Sequence, residues 1–438
     1  MKQKCINIAK NVLLVVLTLL MALLTVSIWV RSLSWEDIPV ESSIGQLYIR
    51  MVYGSASVFG LRTESLPAAY PIEMAVCVDG RMVGVQYDTS GVDALHEKMQ
   101  ESITASLNHK DLEPSIGTDT AFLEALEQDC IYLKYANALP IDLVFLWLGG
   151  ASTDLGEIQV RSILISANDE IWIRDQEDLL YCSNTDVDPK NWSEILADSI
   201  FEPCHFSTQD GLKNDLLPET LIFENRAQGY PVVETAVPNF LDSCGEDNLQ
   251  IVLEAFGYNT SVGNYMDDTT RVFVNNNSTL RISDSGNILF HASSIEGGME
   301  AYQENEITEE GKMSLRVSTA QAVLEQIQKS YTTEGGFFLQ SVQEDLANDR
   351  VRLQFRYMCN SMPVMGEDGI YATVEFMKNA MVSADISARI FTNTEQMQYL
   401  IPSKQFAAMA ADENTDSLIG YFAEEHGLVP YRYFERTV

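Results

Sequence analysis

The chain has 438 residues with 28 basic and 63 acidic side chains, a formal charge of −35, and 46% hydrophobic residues that include 18 Phe and 18 Tyr. That hydrophobic content excludes a disordered chain, and the acidic excess disfavours any role in reading nucleic acid, phosphate or an anionic lipid surface, because like charges repel. All 63 acids lie at or beyond Glu36 and four of the bases lie before it, so 24 bases face 63 acids over residues 36–438, a formal charge of −39.

The first element is the uncharged run Val12 to Val30, 19 residues long. At about 1.5 Å per residue a helix of that length spans roughly 28 Å, the hydrocarbon core of a bilayer. Lys2, Lys4 and Lys10 precede it and Arg31 follows closely. The positive-inside rule then places the N-terminus in the cytoplasm and the bulk outside a plasma membrane crossed once. A cleaved signal peptide competes with this reading, but Ser27-Ile28-Trp29-Val30-Arg31 lacks the small-residue cleavage pattern. Trp29 and Trp35 suit the interface. Residues 1–10 form the cytoplasmic tail and 11–31 the transmembrane helix. Within it Thr18, Ala22 and Thr25 share one face, the small-residue pattern that lets membrane helices approach closely.

Residues 36–150 are expected to form a first exported domain. Strands are predicted over Ile72 to Val78 and Met82 to Tyr87, with a hairpin turn at Asp79-Gly80-Arg81. Leu95, Met99, Ile103 and Leu107 make a helical stripe within Val92 to Leu107. A short helix at Phe122 to Gln128, a strand at Cys130 to Tyr135 and the apolar stretch Ile141 to Leu148 follow, the last too short to span a membrane. Gly149-Gly150 closes this domain.

A middle domain, 151–295, is expected to hold strands at Ile158 to Ser166 and Glu170 to Arg174, a helix around Trp192 to Ile200 and another ending at Phe256-Gly257. It then forms an antiparallel meander of Thr270 to Val274, Thr279 to Ile282 and Ile288 to His291. Residues 296–311 read as an acidic linker. The C-terminal domain, 312–438, opens with a helix at Ser318 to Ser330, then strands at Gly336 to Val342, Val351 to Cys359, Ile370 to Met377 and Met381 to Phe391. The fold class is α+β, helices packed on antiparallel sheets.

Signatures of chemistry are absent. None of His96, His109, His205, His291 and His426 has another histidine at ligand spacing, and no lysine follows a serine by three positions. Asp88-Thr89-Ser90-Gly91 could be half of an aspartic-protease pair, but it reads better as a strand-to-helix turn with Thr89 or Ser90 as the cap. Asn184 to Asp188 alternates oxygens as a calcium loop does, then fails at Pro189 and Ile195. Six exported cysteines, Cys77, Cys130, Cys182, Cys204, Cys244 and Cys359, show no framework spacing, so scattered buried thiols are expected over disulfides. No enzyme, cofactor or metal is expected.

Several segments resemble one family, the YycH/YycI membrane-anchored regulators of the WalK sensor kinase of low-GC Gram-positive bacteria. They are Ile131-Tyr132-Leu133-Lys134-Tyr135 with Ala138-Leu139-Pro140, Leu216-Leu217-Pro218-Glu219, and Leu253-Phe256-Gly257 with Thr270 to Val274 and Leu280-Arg281-Ile282. Later in the chain come Phe355-Arg356-Tyr357, Met362-Pro363-Val364, Gly369-Ile370-Tyr371, Gly420-Tyr421 and Leu428-Val429-Pro430. Each is short and apolar, and their order carries the resemblance. It implies a YycI-like C-terminal domain and a membrane-embedded regulator of a WalK-like sensor histidine kinase, acting with a YycI-like protein on control of cell-wall metabolism. Thr18, Ala22 and Thr25 are the expected contact face. An exported, membrane-tethered solute- or wall-binding module is the alternative.

Overall fold

The structure is a computed structural model that describes residues 71–436 apart from the short segments 109–111, 151–157, 188, 190–191, 194–200, 211–215, 225–228, 242–245, 260, 276, 303–308, 346, 367–368, 411–414 and 425–426. The membrane-span expectation, with Thr18, Ala22 and Thr25, lies outside the described residues, as does most of the helix expected after Trp192. Among the described residues no helix is long and apolar enough to cross a membrane.

The chain enters through β1 (Pro71–Val78) and β2 (Arg81–Gln86), joined by Asp79 and Gly80 at φ 51° and 71°. Two successive left-handed residues match the twist of an antiparallel pair, which is why Asp-Gly works here. Helix α1 (Thr89–Leu107) follows, and its cap is Asp88, whose carboxylate accepts the Gly91 N–H, rather than Thr89 or Ser90. The stripe Leu95, Met99, Ile103 and Leu107 is buried as its spacing requires. Next come β3 (Ser115–Ile116), α2 (Asp119–Leu126), β4 (Cys130–Pro140) and α3 (Ile141–Trp147), the short apolar stretch. Strands β5 (Gln159–Ser166), β6 (Glu170–Asp175), β7 (Leu180–Asn184), β8 (Glu202–Phe206) and β9 (Leu221–Phe223) complete an antiparallel sheet in the order β3-β7-β6-β5-β4-β1-β2-β8-β9. The expected division at 150/151 falls between β4 and β5, which pair with each other.

The second sheet draws on the rest of the chain. Its members are β10 (Gly229–Ala236), β11 (Asn264–Asp267), β12 (Thr270–Asn275), β13 (Ser278–Ser283), β14 (Asn287–Ala292), β15 (Met299–Glu300), β16 (Gly335–Asp345), β17 (Arg350–Cys359), β18 (Met362–Met365), β19 (Ala372–Met377), β20 (Ala380–Ser387), β21 (Ile390–Tyr399), β22 (Thr415–Glu424) and β23 (Gly427–Arg436). The path runs β11-β12-β13-β14-β20-β19-β17-β18-β22-β23-β10-β21, with β15 on β20 and β16 on β17. All pairs are antiparallel except β18 with β22, so the α+β class holds with a mixed second sheet.

Helices α4 (Glu246–Ala255) and α5 (Glu309–Gln328) pack together, and a short α6 (Ser403–Ala407) covers β9. The meander β12–β14 stands where alternation put it, and His291 is exposed on it. Two differences are physical. The strand expected over Met381 to Phe391 is two, because Ala388 and Arg389 turn the chain from β20 to β21, which pairs instead with β10. Within 296–311, Met299 and Glu300 pair with β20 and α5 begins at Glu309, so backbone pairing there overrides a polar composition. One continuous core joins both sheets, from Ile131 and Ile163 to Phe355 and Tyr421.

Candidate functional site: a buried charge cluster under the C-terminal hairpin

The β22–β23 hairpin presents Asp416 to the first sheet. Lys134 on β4 donates to Asp416 Oδ1 at 2.6 Å and stands 3.5 Å from Glu73 Oε2 on β1. All three side chains are 2–3% exposed. Burying one ammonium between two carboxylates demands satisfied hydrogen bonds, since desolvation otherwise exceeds the attraction. Asp416 meets that demand through Lys134, the Ser417 N–H at 2.9 Å, Thr220 Oγ1 at 3.3 Å and Arg161 Nη2 at 3.4 Å. Arg161 also reaches Glu435 at 2.8 Å. Glu73 does not meet it: its Oε2 has no hydrogen bond within the protein.

The electrostatics follow from this geometry. Burial lifts the Glu73 carboxyl above its ordinary range, against the pull of Lys134. Burial works against the Lys134 ammonium too, but Asp416 and Glu73 outweigh it and hold the proton more tightly than usual. Beside them Arg174 on β6 makes a two-pronged pair with Glu219, whose second bond is 3.1 Å. A cavity of about 10 Å³ lies between Tyr132, Arg174, Lys134 and Asp416, room for one water.

Tyr87 closes the cluster at its other end. Its phenol oxygen accepts the Ile419 N–H of β22 at 2.8 Å, while its own φ is 49°. A bulky residue in the left-handed region is held there against a cost of roughly 1–3 kcal/mol, which the surrounding contacts must offset. Burial raises its phenol well above the usual value.

An open groove forms the second feature. About 650 Å³ lies between α3, the start of α5 and the outer end of the β16–β17 hairpin, with Leu143, Leu146 and Val351 as apolar lining and Asp142, Arg316 and Arg350 as charged lining. Arg316 is fixed by the Lys378 carbonyl at 2.7 Å and by Asp349 at 3.0 Å.

Of the weak sequence signals, Asp88 serves as a helix cap and Asn184 ends β7. Thr185 next to it ties the loop back to the Ser106 carbonyl of α1. Among the described residues no three His, Cys, Asp or Glu side chains are arranged to hold a metal ion. His96 sits on α1 and His205 on β8. Among the described residues Cys77, Cys130, Cys182, Cys204 and Cys359 are free thiols, but three of them are gathered rather than scattered: Cys77, Cys130 and Cys204 line one small core. Lys134, Glu73 and Asp416 carried no sequence signal as a group. A lysine inside the apolar run Ile131 to Tyr135 was the one visible hint.

Five of the segments that carry the family resemblance meet in this region. Lys134 belongs to the first of them. Leu216 bridges Thr415, and the Leu217 N–H donates to the Thr415 carbonyl at 2.8 Å. Val364 of Met362-Pro363-Val364 pairs with Tyr421, and Tyr421 pairs with Pro430.

No family model matches the chain, and no curated protein matches its sequence. Among solved structures, YycH from Bacillus subtilis is similar over 84% of this chain and 93% of that one, at 16% identity and a TM-score of 0.48.

Proposed function

We propose that the chain is a non-enzymatic, membrane-anchored regulator of a WalK-like sensor histidine kinase in a two-component system controlling cell-wall metabolism. One observation carries the reading. Segments that resemble the YycH/YycI family at five places between Ile131 and Pro430 meet around the β22–β23 hairpin and its buried charges. Family-like residues concentrated on a structural junction, with no catalytic side chains among them, suit a protein that works by contact.

The anchor crosses the plasma membrane once with its N-terminus in the cytoplasm, and the bulk is extracytoplasmic. In lipid, Thr18, Ala22 and Thr25 form the face that packs on the kinase, because small residues permit close approach. Outside, the exported region contacts the kinase and a YycI-like protein. Regulation then requires that these contacts bind the kinase's two signalling states with different energies. No cofactor, metal or nucleic acid takes part.

The test is co-purification of the detergent-solubilised full chain with a co-expressed WalK-like sensor kinase from the same organism. The triple change Thr18→Leu, Ala22→Leu and Thr25→Leu should cut recovery of the kinase several-fold. Unchanged recovery removes that face, and no recovery with the unaltered chain removes the regulator reading.

The groove beside α3 favours a second reading, an exported solute- or wall-binding module. Its volume of about 650 Å³ is that of a small-ligand site. Saturable binding of wall fragments, lost on Arg350→Glu, together with no kinase recovered, is the result that selects it.

A further inference from the structure

Three thiols share one face of the first sheet. Cys77 on β1 stands directly opposite Cys130 on β4, and Met82, opposite Cys77 on its other side, stands opposite Cys204 on β8. All three cysteines are 0–5% exposed, in the core that Phe122, Ala125 and Leu126 of α2 cover. As directly opposed residues of an antiparallel pair, Cys77 and Cys130 carry their side chains on the same face, into that core.

The backbone fixes how close these two residues come. The Ala167 N–H donates to the Asp129 carbonyl at 2.8 Å, so Asp129 faces β5 and Cys130 turns its own backbone groups toward β1. The Tyr87 N–H donates to the Ile72 carbonyl at 2.7 Å, so Ile72 faces β2 and Cys77, five residues on, faces β4. Cys77 and Cys130 are therefore a hydrogen-bonded pair, with Cα atoms about 5.5 Å apart, inside the window for a disulfide. Their Cβ atoms need to approach by about 1 Å, which keeps such a bridge easy to reduce.

We infer that Cys77 and Cys130 are a redox-active pair that closes to a cross-strand disulfide when the chain meets an organic disulfide. Cys77 attacks first. It lies two residues before the Asp79-Gly80 turn, where Gly80 faces open space, and is 3% exposed where Cys130 is 0%. The neighbouring Cys130 thiol also lowers the Cys77 thiol, and Cys77, with burial, raises Cys130. The Cys77 thiolate attacks one sulfur of the organic disulfide, forming a mixed disulfide and releasing one thiol. Cys130 then loses its proton, attacks the Cys77 sulfur and expels the second thiol. The pair gives up two electrons and two protons, and the organic disulfide becomes two thiols. Cys204 is set apart by the intervening β2 strand and is not consumed.

The experiment incubates the full chain, folded in detergent, with oxidised glutathione at mildly alkaline pH, then alkylates, digests and maps peptides by mass spectrometry. The expected product is a peptide pair joining Cys77 to Cys130, lighter by two hydrogens, while Cys182 and Cys359 remain alkylated. Cys204→Ser should retain the link, and Cys130→Ser should stop at glutathione on Cys77. A native chain that stays fully alkylatable at both cysteines, while the urea-unfolded chain oxidises, overturns the proposal. So does a link that runs to Cys204 or Cys244 instead.

Discussion

Lys134 and Asp416, 282 residues apart in sequence, meet at 2.6 Å in the interior and join the first sheet to the C-terminal hairpin. The contact is a branch point rather than a pair. Asp416 is shared by Lys134, Arg161 and Thr220, and Lys134 is shared by Asp416 and Glu73. In a network of this kind every partner removed leaves a charge in a low-dielectric interior.

Lys134→Met should therefore destabilise the fold by about 3–5 kcal/mol, since it leaves Glu73 and Asp416 facing each other without the ammonium. Urea unfolding at neutral pH, followed by intrinsic fluorescence, measures the loss. The deficit should shrink as the pH falls, because the stranded carboxylates can then take up protons. A loss of the same size at every pH would show that packing, not charge, holds Lys134 in place.

Glu73 sets a pH dependence of its own. Burial raises its folded carboxyl above the ordinary value of 4.5, so the folded state holds this proton more tightly than the unfolded chain does. Its contribution is fully present below that ordinary value and fades as pH rises through the higher folded one. Glu73→Gln removes this titration. The difference in unfolding free energy between Glu73→Gln and the parent should grow in favour of the variant across that window and level off above it. A flat difference would mean that Lys134 keeps Glu73 ionised throughout.

The legible part of this fold was periodic. The α1 stripe, the Asp79-Gly80 hairpin and the β12–β14 meander each rest on neighbours in sequence, and local chemistry settles them. The β22–β23 hairpin went unread because its inward residues include Asp416, whose burial makes sense only beside Lys134 and Thr220. Strand β10 was missed for a similar reason, since its partner β21 comes more than 150 residues later in the chain. The site was less legible than the fold. Lys134 within Ile131 to Tyr135 resembles any snorkelling lysine until its partners arrive from β1 and β22.

Tyr87 ties the same two parts by a neutral bond. Tyr87→Phe keeps the ring and strands the Ile419 N–H in the interior, a loss of about 1–3 kcal/mol. Tyr87→Phe should also speed hydrogen exchange at Ile419 relative to amides within β4, which mass spectrometry on peptides covering 415–424 can read. If exchange in that hairpin is unchanged, the hydroxyl is not what secures it.

Two glycines of the β1–β2 pair separate packing from backbone strain. Gly84 has no positive φ, but a Cβ there would stand 2.7 Å from the Met74 carbonyl, 3.0 Å from the Ala75 Cβ and 3.1 Å from the Cys204 sulfur. Two of those three atoms cannot swing away, so β1 or β8 has to move, and overpacking of that kind costs about 1–3 kcal/mol. Gly80 is the reverse case, with open space around it and a φ of +71°. Its penalty comes from the left-handed backbone alone, about 1 kcal/mol. Gly84→Ala should therefore lower the unfolding midpoint more than Gly80→Ala does. The sharper readout is Gly80→Asn, because asparagine tolerates the left-handed region and should recover most of the loss at residue 80. At residue 84 the same asparagine adds bulk to an already closed space and should be worse than alanine. Equal recovery at both sites would overturn the packing account of Gly84.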